Sequence, residues 1–332
     1  MLGFLNQQMF TSFMAPLLLR LTMRRVRITE EEEQRILAAE STRLFDPQHV
    51  RALLPTAGSD DALAAATIGF ALSKGSDSAL TVLHVAADAS VWRRLGRMVT
   101  RTKGNGIDAH LDRIRELRDG APAPQTNQRT ARDVSDAILQ EASKGYDVLL
   151  VGAPRKHAGV VEDIVESTPC HLVVVRSHAG GVDRFKNVLV PIEGGVLSAA
   201  AVELAVRYAE AAGAAVTLAV LTEQRAPLTS YGEVPAGNGQ EAAIEQQLER
   251  ISHVFRTSSV KPRVLRLEYN PARSAVEKEV ATGQYDLIVV GAENRAVQHR
   301  LFFGYENERI IRKSPATVAI VVPKLARLAH PS

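Results

Sequence analysis

Cysteine is almost missing from the 332-residue chain: Cys170 stands alone, which excludes an internal disulfide and any multi-cysteine zinc site. A charge of one sign is missing too. Forty basic residues against 37 acidic ones leave +3, too little to argue for nucleic acid as a partner. Only one stretch, residues 1–23, is apolar enough to consider for a membrane, so a many-helix membrane bundle is excluded. No P-loop, Gly-x-Ser-x-Gly or His-Glu-x-x-His occurs, no metal-ligand set is read, and the chain is not expected to be an enzyme. What remains is an ordinary globular balance, 45% hydrophobic and 23% charged, with length for two domains at about 150 residues each.

The apolar segment Met1–Met23 carries Asn6, Gln7 and Gln8 together, Pro16 within it and Arg20 near its end. No basic region precedes it, as a secretory signal would require. Arg20, Arg24, Arg25 and Arg27 follow or close it, and no acid occurs in the first 27 residues. That is the arrangement of a membrane segment ending in the cytosol; an amphipathic helix packed on the domains or lying at the bilayer surface is equally compatible. Thr29 and Glu32 then have capping-box spacing, which predicts a charged connector helix running to about Leu44, within a connector region 24–46.

The chain repeats itself. Val50–Val85 aligns with Lys186–Leu221 at a constant offset of 136, matching Pro55 with Pro191, Gly58 with Gly194 and Thr81 with Thr217. A second block, Tyr146–Ala153, aligns with Tyr285–Ala292 at an offset of 139. Two domains follow, 47–177 and 185–323, joined by Ser177–Arg184.

In the second copy, Val188–Ile192 is an unbroken apolar run, the mark of a strand buried on both faces. Ala201, Leu204 and Tyr208 then recur at helical spacing, as do Ala65, Ile68 and Leu72 in the first copy. Further strands are predicted at Ala215–Leu221, Arg263–Leu267, Leu287–Val290 and Thr317–Val322. Helices fall between them near 242–255, 272–281 and 306–313. The fold class is therefore α/β, two tandem doubly wound five-stranded parallel sheets preceded by a helical segment. Ligands in such sheets bind beyond the strand carboxyl ends, which directs attention to Pro191–Gly195 and to the residues after Val290.

The segment Asp286–Pro323, DLIVVGAENRAVQHRLFFGYENERIIRKSPATVAIVVP, resembles the C-terminal half of universal stress protein domains. In nucleotide-binding members a Gly-x-x-Gly-x9-Gly-Ser/Thr loop holds ATP phosphates, because glycines let backbone N–H groups approach the anion. Gly291 matches the first glycine and Gly304 the third; Asn294 replaces the second, and Tyr305 stands at the Ser/Thr position. Arg295 and Arg300 add positive charge, and Glu193, between Ile192 and Gly194, stands where the family has an acid beside the adenosine. The resemblance thus implies ATP or another adenine nucleotide at Ile192, Glu193, Gly194, Gly291, Asn294, Arg295, Arg300, Gly304 and Tyr305. The alternative is a loop that only caps the following helix. The first copy is shorter here: 17 residues separate Gly152 from Pro169, against 24 between Gly291 and Pro315. Too few N–H groups remain to wrap a phosphate. Its expected role is to pair with the second copy within one chain; a homodimer is also compatible.

Three lesser signals carry no site. Gly104-x-Gly106-x-x-Ala109 lacks a preceding strand, Cys170 reads as an inert core thiol, and His84 ends a strand without a placed partner. Val91–Arg132 holds ten basic and four acidic residues, which reads as a solvated loop or a surface for anionic headgroups.

Residues 6–20 and 25–32 resemble the end of the last transmembrane helix of bacterial monovalent cation:proton antiporter-2 proteins, some of which carry such tandem domains on the cytosolic side. The ion-translocating helices with their buried carboxylates are absent, so this chain is not expected to transport ions. The resemblance implies a regulatory, nucleotide-sensing module partnered by an antiporter membrane domain or the membrane surface, at the cytoplasmic face of the cell membrane. A free-standing cytoplasmic stress protein that binds ATP, and a ligand-free scaffold, are the alternatives.

Overall fold

The computed structural model describes residues 44–46, 49–75, 77, 79–88, 105–153, 159–178, 184–192, 195–223, 248–249, 251–252, 254–256, 258–269, 275–292, 295–297, 300–302 and 310–324. The expectations for residues 1–43 lie outside them. Leu44, where the sequence ends the connector helix, is a bend. No helix among the described residues is long and apolar enough to cross a membrane.

The first repeat runs β1 (Ala52–Thr56), α1 (Asp60–Ser73), β2 (Thr81–Ala87), α2 (Asn105–Glu116), β3 (Gln125–Ala131), α3 (Val134–Ala142), β4 (Val148–Gly152), α4 (Gly159–Ser167) and β5 (His171–Arg176). The second runs β6 (Asn187–Ile192), α5 (Gly195–Ala212), β7 (Ala215–Glu223), β8 (Arg263–Tyr269), α6 (Ala275–Val280), β9 (Leu287–Gly291), β10 (Arg295–Val297), β11 (Arg300–Phe302) and β12 (Thr317–Val322). The five strands read in the second copy lie where the sequence predicts them, as β6, β7, β8, β9 and β12, with ends within two residues. Of the helix read over 272–281, the described residues are helical over 275–280 and turn at 281; 306–313 is helical over its described residues 310–313.

Within each repeat the strands pair in parallel, in the order β3-β2-β1-β4-β5 and β8-β7-β6-β9-β12. The two sheets are continuous. β5 and β12 pair antiparallel, with Val174 opposite Ile320 and Arg176 opposite Val318, giving one ten-stranded sheet.

Alternation explains why the strands read as unbroken apolar runs. In β6, Val188, Val190 and Ile192 face one core while Leu189 faces the other; in β9, Leu287 and Val289 oppose Ile288 and Val290. The first core lies under α1, α2 and α5, the second under α3, α4 and α6. α1 and α5 pack on each other and reach over β5 and β12, respectively, so the join is covered by one helix from each repeat. α1 is buried almost all round, which suits its Ala-rich sequence DDALAAATIGFALS.

The duplicated Tyr-Asp pairs tie strand starts together. The Asp147 carboxylate accepts the Arg51 N–H (2.8 Å), and its counterpart Asp286 accepts from Lys186 and Asn187 (2.8 Å each). Tyr146 donates to Glu141 (3.4 Å) and Tyr285 to Glu279 (2.8 Å). Burial and the Glu279 carboxylate push the Tyr285 phenol pKa up.

Candidate functional site

A parallel doubly wound sheet opens where its strand order reverses. In the second repeat this lies between β6 and β9, which pair only through Val188–Leu287 and Leu189–Ile288. Beyond those residues each strand continues against its outer neighbour instead, β6 to Ile192 beside β7 and β9 to Gly291 beside β12. The first repeat does the same: β1 and β4 pair only through Ala52–Val148 and Leu53–Leu149.

Gly291 ends β9 at this opening. A methyl group on its α-carbon would collide with the backbone of Leu197 in the first turn of α5. The counterpart Gly152 meets α1 in the same way, its missing methyl lying 2.5 Å from the Ala62 nitrogen. Both glycines let the start of a long helix press against the strand end, so packing alone requires Gly at these two positions. The helix starts differ in charge. α1 opens with Asp60 and Asp61 behind the N-cap Ser59, whose hydroxyl accepts from Ala62 N–H (3.2 Å). Asp61 is further engaged by the Ser177 N–H (2.6 Å). The first turn of α5 carries no acid. The positive end of the helix dipole is therefore neutralised in the first repeat and is not neutralised by its own first turn in the second.

Of the residues read as nucleotide-binding, Ile192 is the last residue of β6, and its side chain is fully buried in the core. Gly291 and the first turn of α5 stand at the opening. Glu193, Gly194, Asn294, Gly304 and Tyr305 lie outside the described residues. Arg295 and Arg300 fall on β10 and β11, a two-stranded antiparallel ribbon pairing Arg295 with Phe302 and Val297 with Arg300. The sequence reading takes this stretch as loop. Strands of three residues without an Asn-Gly or Gly-rich turn give no hairpin signal. β11 packs against α4, so this insertion reaches the other repeat.

The equivalent opening of the first repeat holds a cluster that sequence reasoning did not assemble. Thr56 Oγ1 lies 3.0 Å from His110 Nε2 and accepts the Gly58 N–H (3.1 Å). His84 Nδ1 lies 3.0 Å from the Thr56 carbonyl oxygen, so Nδ1 carries the proton and donates. His110 is buried. Burial first, then the Arg113 and His84 charges, hold its pKa below the usual histidine value, against the opposing pull of Asp60. Cys170 is buried beside Thr168, with Oγ1 at 3.6 Å from the sulfur. Gly106 lies in the first turn of α2; Gly104 is outside the described residues. Among the described residues no group of three or more His, Cys, Asp or Glu side chains is placed to hold a metal.

Solved structures share the architecture. A universal stress protein from Archaeoglobus fulgidus is 14% identical over 85% of this chain and 98% of its own, with a TM-score of 0.50. A Pseudomonas aeruginosa protein assigned to the universal stress proteins is 15% identical over 88% of this chain and 97% of its own, with a TM-score of 0.53. At such identities the likeness shows the fold. A universal stress protein solved in complex with cAMP is 20% identical over 41% of this chain and 96% of its own, with a TM-score of 0.31. No curated protein matches the chain. The universal stress protein family matches it twice, at residues 50–176 and 184–322, and the chain belongs to that family.

Proposed function

We propose that the chain is a regulatory tandem universal stress protein module whose second repeat binds ATP or another adenine nucleotide and whose first repeat is its structural partner. The observation that carries this reading is the contrast between the two helix starts. The α5 first turn stands against Gly291 at the β6–β9 opening without an acid of its own, and phosphate is the natural occupant of such a terminus. The matching α1 terminus already has Asp60, Asp61 and the Ser59 cap. A phosphate there would meet like charge. In this reading Glu193 contacts the adenosine, while Gly194, Asn294, Gly304 and Tyr305 line the loop and Arg295 and Arg300 supply charge, with no catalytic step.

The N-terminal resemblance adds the setting: a cation:proton antiporter partner, at the cytoplasmic face of the membrane. A ligand that binds one arrangement of the repeats better would shift its population and bias the connector. The lead-in to the first repeat is held by the second. Leu44 and Phe45 N–H donate to Glu203 Oε2 and Oε1 on α5 (2.8 Å each), and Arg207 donates to the Asp46 carbonyl (3.3 Å).

Thermal-shift titration of the full chain with ATP, ADP and AMP tests the binding. A saturable rise for at least one of them, abolished by Gly304→Glu, is expected; no rise with any of them overturns the reading. Fractionation of cells expressing the full chain tests the setting, with recovery in the membrane pellet expected.

A further inference from the structure

A second concavity lies at the opposite end of the sheet and is built by both repeats. Its floor follows one face of α1 through Leu63, Thr67, Phe70 and Lys74. One wall is the end of α2 with the turn after it, and the other is the C-terminal end of α5 with Arg184 just before β6. Arg184 precedes the amino end of β6, and Ala212 ends α5 just before the amino end of β7. The groove thus opens at the strand amino ends, away from the β6–β9 opening. Its volume is about 330 Å³, inside the range of small-molecule sites, about 300–1,000 Å³.

Four cations converge on it, Lys74, Arg113, Arg118 and Arg184, against two acids, Glu116 and Asp119. Lys74 and Arg184 come from different repeats. Each caps the end of α5: Lys74 Nζ donates to the Ala211 carbonyl (2.8 Å) and Arg184 donates through Nε (3.0 Å) and Nη2 to that of Ala212. Both also approach Asp119, Lys74 Nζ at 3.4 Å and Arg184 Nη2 at 3.9 Å. Those distances are long for charge-assisted hydrogen bonds, which close to about 2.7–2.9 Å. Asp119 is also the one described non-glycine residue with positive φ, 39°, in the left-handed region that costs an ordinary residue energy. The Arg113 side chain has only a 3.9 Å approach to Asp60, and the Arg118 side chain makes no hydrogen bond or ion pair among the described residues; its backbone carbonyl accepts the Ala121 N–H.

We propose that this groove is a ligand site for a small organic anion, a phosphate- or carboxylate-bearing molecule with an apolar body. The anionic group displaces the Asp119 carboxylate from between Lys74 and Arg184 and takes up Arg118. The body lies along Leu117, Ala71 and Phe70. Because the cations belong to both repeats, such a ligand clamps α1 to the end of α5, and Asp119 acts as a built-in competitor that keeps the site selective.

Phenyl phosphate is the probe, titrated into the full chain and followed by the chemical shifts of the Lys74, Asp119 and Ala211 amides. Saturable binding is expected, with inorganic phosphate and phenol each at least tenfold weaker. Arg118→Gln should raise the Kd roughly tenfold, the loss of one charge-assisted contact. Asp119→Asn should lower it about threefold while the free protein keeps its melting temperature, since asparagine tolerates the left-handed conformation. Equal affinity for inorganic phosphate would mean a charge cluster without an organic subsite and would overturn the proposal. So would absence of binding, or an Asp119→Asn variant that binds more weakly than the parent. Repeating the titration in Gly304→Glu keeps the two sites apart: the phenyl phosphate response should be unchanged there even though the nucleotide response is lost.

Discussion

The Leu197 carbonyl lies so close to the α-carbon of Gly291 that no side chain fits between them, and the same is true of Ala62 and Gly152 in the other repeat. These two contacts set how closely each long helix approaches its strand. Gly291→Ala and Gly152→Ala should each destabilise the chain by about 1–3 kcal/mol or more, the usual range for overpacking a rigid contact. Backbone faces the new methyl in both cases, so little can relax. Urea denaturation monitored by circular dichroism measures the loss; a change under 0.5 kcal/mol at either position would show that helix and strand can slide apart freely.

Glu203 is buried in the middle of α5 and holds two backbone N–H groups from the lead-in segment. Gln offers one acceptor in place of two and turns an N–H₂ toward a donor. Glu203→Gln should therefore cost about 1–3 kcal/mol, the desolvation penalty of an N–H left without a partner. Faster amide hydrogen exchange at Leu44 and Phe45 would locate the loss, with β12 exchange changing far less.

His110 gives the stability a pH dependence of defined sign. Its pKa is lowered in the folded chain, so the unfolded chain binds the proton more readily. The contribution is complete above the ordinary histidine value of 6.5 and is lost as pH falls below it, until the folded pKa is passed. Arg113, His84 and Asp60 are the charged groups that face it. Melting temperatures of the parent and of His110→Gln, taken from pH 7.5 to 5, should converge toward the acid end. Parallel curves would assign that pH dependence elsewhere.

The β5–β12 pair seals what would otherwise be an exposed strand in each repeat. A chain restricted to 185–323 should therefore self-associate, and Ile320→Lys should suppress that association if the excised repeat stays folded. Sedimentation velocity reads both outcomes.

The strands were legible because burial on both faces leaves only apolar residues, as in β6 and β12, where the expected and observed spans nearly coincide. The duplication was legible for a related reason, since Gly152, Asp147 and their counterparts each answer a backbone demand that both copies share. β3 reads QTNQRTA and carries no apolar signal, because an edge strand is better protected by polar residues. The Thr56–His84–His110 cluster and the α1–α5 groove draw on segments far apart in sequence, and no local pattern marks them. The acid-free start of α5 is the reverse case. It was written in the sequence as Val196 and Leu197 opposite Asp60 and Asp61, and gained meaning only once Gly291 was seen against that turn.

The most direct test of the central claim is calorimetric titration of the full chain with ATP, beside a variant in which Val196→Asp gives α5 the acid that Asp60 gives α1. The account predicts one site per chain in the parent and at least a tenfold weaker one in the variant, whose helix is otherwise favoured by an acid at that end. Two sites per chain, no heat of binding, or equal affinity in parent and variant would contradict it.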